Sequence, residues 1–131
     1  MGRRESPRES EALGLLGLAR RAGAVSRGVD ATRRSLGSGE VRLVLLAADA
    51  SETQFRKVRN LIRRWGVPVL RISDRDLLGR AVGRCALSMV GVTESSFARQ
   101  LLERLPQMSS GSLGQQELEG AQEEQSSDAG Y

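Results

Sequence analysis

Between residues 10 and 105 the apolar positions recur with two alternating periods, and each change of period marks a new element. In "EALGLLGLARRAG" Leu13, Leu16 and Ala19, or alternatively Leu15 and Leu18, fall at helical spacing, which predicts a helix capped by Ser10 and stopped at Gly23. "GAVS" reads as a short strand and "VDATRRSLG" as a short helix. The unbroken aliphatic run "VRLVLLA", Val41 to Ala47, predicts a strand covered on both faces. Ser51 and Gln54 form a capping-box pair at the start of "SETQFRKVRNLIRRW". There Phe55, Val58, Leu61, Ile62 and Trp65 share one arc, while Arg56, Lys57, Arg59, Arg63 and Arg64 share the other, and Gly66 ends the helix. "VPVLRIS" predicts the next strand, with Pro68 near its start where a missing N–H does least harm. Ser73 with Asp76 predicts the opening of a helix over "DRDLLGRAV", "ALSMVGV" a strand, and Thr93 the cap of "ESSFARQLLERL". Five helices recurring between about four apolar strands predict an α/β fold, with a mostly parallel or mixed sheet and helices on both faces.

The ends carry no such pattern. Residues 1–9 (MGRRESPRE) are charged and hold a proline, which predicts a disordered basic arm. Residues 106–131 are rich in Ser, Gly, Gln and Glu and predict a disordered acidic tail, leaving one domain over 10–105.

Charge sharpens this division. Residues 1–105 hold all 20 cations against 11 acids, a balance of +9, whereas 106–131 hold five acids and no cation. A domain this basic is suited to polyanions, because Lys and Arg displace the counterions condensed on nucleic acid. The chain has no His and one cysteine, Cys85. That excludes a Ser-His-Asp or Cys-His nucleophile, a zinc site of the usual His/Cys kind and an intrachain disulfide. Neither a signal core nor an apolar run long enough for a membrane is present, so the reading is a cytoplasmic protein without membrane, metal or cofactor.

Two stretches are candidates for binding an anion. If Gly28 precedes a helix, the free N–H groups of its first turn form a partial positive charge, with Arg27 before it and Arg33 and Arg34 on it. The same residues also suit an ordinary surface helix, with Val29, Thr32 and Leu36 inward and Asp30 four residues before Arg34 in the favourable ion-pair order. The single-signed face of the Ser51–Trp65 helix is the second candidate. Enzyme-like patterns are weaker. Asp49 follows a buried strand, as a phospho-acceptor would, but the acidic cluster such a site needs near the first strand is absent. Asp74 and Asp76 have the spacing of a Mg²⁺ pair, but helix capping accounts for them. With Phe55, Trp65 and Phe97 all placed on apolar helix faces, no aromatic platform for single strands is expected.

Taken in order, "LGLLGLARRAGAVSRG", "LVLLAADAS", "WGVPVL" and "LLGRAVG" resemble the bacterial YlxQ group within the kink-turn-binding superfamily that includes large-subunit ribosomal proteins. The resemblance covers about residues 10–105, and it is the ordered set of segments that is specific. It implies a three-layer α/β/α sandwich, with about five helices on an about four-stranded mixed sheet, binding structured RNA without catalysis. The superfamily signature is glycine, any residue, Asn, Glu, two residues and Lys, with a second glycine further on. Gly28 and Gly39 have the spacing of the two glycines and Arg34 falls on the Lys; Asp30 stands at the Asn and Ala31 at the Glu. Asp30 cannot donate an amide hydrogen bond to a base, and Ala31 offers no carboxylate to guanine, so general binding of folded RNA is better supported than strict kink-turn specificity. The implied RNA face comprises Gly28, Arg33 and Arg34, then Asp49, Ala50 and Ser51 at the start of the third helix, and Arg84 in the short loop before the last strand. The implied partners are structured, ribosomal or kink-turn-like RNA and a ribosomal or transcription complex, met by a monomer. The alternative is a protein-interaction adaptor of the same fold, using the apolar positions near Cys85 to Leu87 and the acidic tail.

Overall fold

The computed structural model describes residues 7–105. The elements in chain order are α1 (Pro7–Arg21), β1 (Val25–Arg27), α2 (Val29–Gly37), β2 (Leu43–Ala47), α3 (Glu52–Trp65), β3 (Val69–Ile72), α4 (Arg75–Ala81), β4 (Met89–Val92) and α5 (Ser95–Arg104). The expected acidic tail and the first six residues of the expected arm lie outside the described residues.

The four strands form one sheet in the order β1-β4-β2-β3. β2 pairs with β3 in parallel, which α3 makes possible by carrying the chain back between them; β4 runs antiparallel to both β1 and β2. Alternation along the fully buried β2 divides the core in two. Leu43, Leu45 and Ala47 join Leu70, Ile72, Val90 and Val92 beneath Ala12 and Leu16 of α1, Leu78 of α4 and Ala98 and Leu101 of α5. Val44 and Leu46 join Met89 beneath Leu36 of α2 and Phe55, Val58 and Ile62 of α3. The architecture is therefore three layers, α1, α4 and α5 on one face and α2 and α3 on the other.

Strand directions decide what meets at one edge. β1, β2 and β3 all end where β4 begins: Arg27 pairs with Val90, Leu46 with Met89, and Ala47 with Ile72. That single edge thus carries the starts of α2, α3 and α4 and the end of the loop leading into β4. α5, which follows β4, starts at the opposite edge.

Several local expectations shift. α1 begins at Pro7 rather than after Ser10, so Pro7 to Glu9, expected in the arm, are helical. Proline pre-sets the dihedral angle of a first helical turn, and the Glu9 carboxylate there accepts from the Ser73 N–H at 3.1 Å. Ser73 itself is not the cap of α4. It is buried with φ 53°, and Asp74 is the N-cap, its Oδ1 accepting from Leu77 N at 2.9 Å. Thr93 does not cap α5 either: its N–H bonds the Ala24 carbonyl at 2.8 Å, and the helix starts at Ser95, with Glu94 at the N-cap position and no side-chain bond. Ser51 caps α3 as expected, its Oγ accepting from Gln54 N at 3.2 Å, and Gly66 closes the helix in the left-handed region.

Candidate functional site

The three helices that start at the common edge differ in how their first turns are satisfied. α3 is closed by Ser51, and α4 is closed twice, by Asp74 and by Asp49, whose Oδ1 accepts from Arg75 N at 2.9 Å. α2 has Gly28 at its N-cap and no side chain bonding its first turn. Gly28 has φ 95° and ψ 169°, a conformation essentially confined to glycine, so the residue that sets this open end can hardly carry a side chain. Its own N–H is used by the Met89 carbonyl at 3.0 Å, which ties the start of α2 to the start of β4. The N–H groups beyond it, at Val29, Asp30 and Ala31, form the positive end of the helix dipole.

Around this end the expected residues fall into groups. Asp30, Arg33 and Arg34 are exposed on the outer side of α2, where with Gly37 and Leu61 they line an open groove of about 460 Å³. Inward, Thr32 and Leu36 are buried, and the Thr32 hydroxyl donates to the Ser26 carbonyl at 3.3 Å, so the arginines are held outward by a locked inner face. Ala31 is half-buried. Leu87, at the end of the loop before β4, approaches Gly28: its Cδ2 is 3.6 Å from where a β-carbon there would stand.

Other expected residues are occupied by the fold. Arg27 donates from Nη1 to the Val82 carbonyl at 3.0 Å and so pins the end of α4 to β1. Asp49 holds the start of α4, with Arg75 Nε a further 3.6 Å from Oδ2, and Ala50 and Ser51 complete the turn into α3. Arg84 is exposed in the loop after α4, where its N–H bonds the Gly79 carbonyl at 2.7 Å. That loop lies so close to α4 that a β-carbon on Gly79 would come 2.7 Å from the Cys85 carbonyl oxygen. The Arg20 guanidinium covers Gly83 beside it, 3.0 Å from the position of an added β-carbon. Arg84 is therefore grouped with Arg20 and Arg27, while Arg33 and Arg34 are grouped with α3.

A model of the ribosomal protein L7Ae/L30e/S12e/Gadd45 family matches residues 10–102. The chain belongs to this family. Among its relatives, RNA-binding protein YlxQ of Bacillus subtilis (strain 168) is 37% identical over 91 residues, covering 70% of this chain and 91% of that protein. RNA-binding protein YlxQ of Enterococcus faecium is 27% identical over 93 residues, covering 71% and 89%. A Bacillus halodurans C protein with unknown function has a solved structure of TM-score 0.66 at 32% identity, covering 71% of this chain and 94% of its own. The Giardia lamblia 15.5kD RNA binding protein shares the fold at TM-score 0.65 and 19% identity, covering 78% and 90%.

Three residues were not legible as parts of a surface. Leu61 and Trp65 were expected on the apolar arc of α3; Leu61 packs against the core from there and also lines the groove, whereas Trp65 is 49% exposed. Arg20 belongs to α1 and reaches the loop of Arg84 only through tertiary packing. No helix among the described residues is long and apolar enough to cross a membrane.

Proposed function

We propose that this chain is a non-catalytic RNA-binding protein that holds a bend of structured RNA, kink-turn-like or ribosomal, against the helix-end edge of its sheet. The observation that carries the reading is the contrast at that edge. α3 and α4 are closed by their own side chains, whereas α2 presents an uncapped first turn with Arg33 and Arg34 one to two turns along it. An uncapped turn attracts phosphate through its N–H groups and dipole, and guanidinium forks add charge-assisted bonds. Family membership and relatives named as RNA-binding proteins point the same way.

In this reading the Gly28 end and Arg34 hold phosphates, Arg33 and Arg84 reach neighbouring strands, and Asp49 to Ser51 shape the floor between them. Asp30 and Ala31 relax the preference for particular bases, so the shape of the bend matters more than its sequence. The reading carries with it a monomer in the cytoplasm and an association with ribosomal RNA.

The test is an anisotropy titration of end-labelled kink-turn RNA, a linear single strand and duplex DNA, each at several salt concentrations. Tightest binding is expected for the folded RNA, with affinity falling steeply as salt rises. Negligible binding to all three at low salt would refute the proposal. Retention of a protein partner after nuclease treatment by a variant reversed at Arg33 and Arg34 would favour the adaptor reading instead.

A further inference from the structure

Beyond the helix-end edge, the groove between α2 and α3 is lined by Asp30, Arg33, Arg34 and Gly37 on one side and by Leu61 on the other. On α3 the surface neighbours of Leu61, four residues before and three and four after, are Lys57, Arg64 and Trp65. Lys57 and Arg64 are exposed. Trp65, the sole tryptophan of the chain, is 49% exposed although Phe55, Val58 and Ile62 of the same helix are buried. Its ring is nonetheless held in place. Cη2, Cζ3 and Cζ2 lie 2.9–3.2 Å from where a β-carbon on Gly39 would stand, and Gly39 has φ 75°, so the turn after α2 is shaped to receive the indole edge.

A fixed, half-exposed indole beside cations of one sign has the two properties that single-stranded RNA needs: a π-surface for a base and charge for its phosphates. A second copy of this chain would bring the same cations against these. We propose that the groove and the α3 surface beside it take a single-stranded flank of the RNA held at the helix-end edge, with phosphates on Arg33 and Arg34 in the groove and on Lys57 and Arg64 beside it, and a base stacked on Trp65. The inference rests on the RNA-binding reading and adds a second contact to it. Trp65 is 14 residues beyond Ser51 along α3, about 21 Å at 1.5 Å per residue. Asp30, at the other end of the lining, disfavours a phosphate there and accepts hydrogen bonds from ribose hydroxyls or base amino groups.

The experiment uses the full chain and two end-labelled RNAs, one folded RNA with blunt ends and the same RNA with unpaired nucleotides added at either end. Anisotropy of the label reports binding, and Trp65 emission reports the groove. The flanked RNA is expected to quench Trp65 and to bind more tightly than the blunt one. Trp65→Ala is expected to lose about tenfold on the flanked RNA and to leave the blunt RNA unchanged, as stacking on one base implies. Trp65→Phe keeps a ring and should retain the flanked affinity, and Arg64→Glu, a fully surface change, should reproduce the selective loss without touching the Gly39 packing. Equal affinities of wild type and Trp65→Ala for both RNAs would overturn the inference while leaving the RNA-binding reading intact. An emission change produced by salt alone, abolished by neutralising the acids of residues 106–131 and insensitive to RNA, would assign the groove to the chain's own tail and overturn it too. Failure of either label to register binding is the failure of the RNA-binding reading itself.

Discussion

Two helix starts at the same edge, α2 and α3, are built from opposite solutions to the same problem. Every helix begins with N–H groups that lack intrahelical acceptors. In α3 the Ser51 hydroxyl meets one of them, and in neighbouring α4 the carboxylates of Asp74 and Asp49 meet two. In α2 a glycine in a conformation barred to other residues leaves them to whatever lies outside. A closed start contributes to stability and binds little, whereas an open one gives up a cap bond and gains a site. The fold holds both geometries within one edge, so each serves as a control for the other.

The comparison breaks most severely at the two exposed arginines of α2. Reversing both, Arg33→Glu with Arg34→Glu, is expected to weaken binding of folded RNA by about a hundredfold at low salt and to reduce the slope of log affinity against log salt by about two. Neither side chain is buried, so the unfolding midpoint should stay near wild type. Replacing Gly28 by Ala tests the open start itself. A β-carbon would sit 3.6 Å from Leu87, an ordinary contact, so the cost comes from φ 95° and is expected at about 1–3 kcal/mol in urea unfolding, with a parallel loss of RNA affinity. Ser51→Ala makes the opposite change at the closed start. It should cost about 1 kcal/mol of stability and lower RNA affinity by less than Gly28→Ala does. The smallest effect is expected at Asp49→Asn, where the ion pair with Arg75 is half exposed and is worth at most about 1 kcal/mol in thermal unfolding.

Much of the edge was legible because its chemistry is local. The Ser51 cap, the glycine that closes α3 and the buried run of β2 depend on residues within a few positions; the first two formed where the pattern put them, and β2 formed over Leu43–Ala47 of the expected Val41 to Ala47. The limits of α2 were legible too, since Gly28 and Gly39 bracket it and only Thr32 and Leu36 are buried on its inner face. What misled were competing caps. "SDRD" offers both Ser73 and Asp74 as helix starts, and the pairing of β3 with β2, together with the Glu9 carboxylate reaching Ser73 N, selects the second. Thr93 likewise looks like a cap, but it extends the β1–β4 pairing through its bond to Ala24, and α5 starts at Ser95 with Glu94 before it. The charge of the first residues concealed the helical proline at Pro7.

Site residues divide in the same way. The exposure of Arg33 and Arg34 follows from helical period, and the structure has it. The employment of Arg27 by Val82 and of Asp49 by Arg75 joins residues 55 and 26 positions apart, which no local pattern encodes. Trp65 is the sharpest case. Period alone put it on the apolar arc, but the indole lies against Gly39 in the turn after α2 and stays 49% exposed instead of entering the core.

Backbone amide resonances report the open first turn of α2 directly. On adding kink-turn RNA to ¹⁵N-labelled protein, the largest shifts are expected at Val29, Asp30 and Ala31, with Gln54 and Leu77, whose N–H groups are already capped, moving little. Shifts centred on α1 and α5, with residues 29–31 unmoved while RNA is bound, would contradict it.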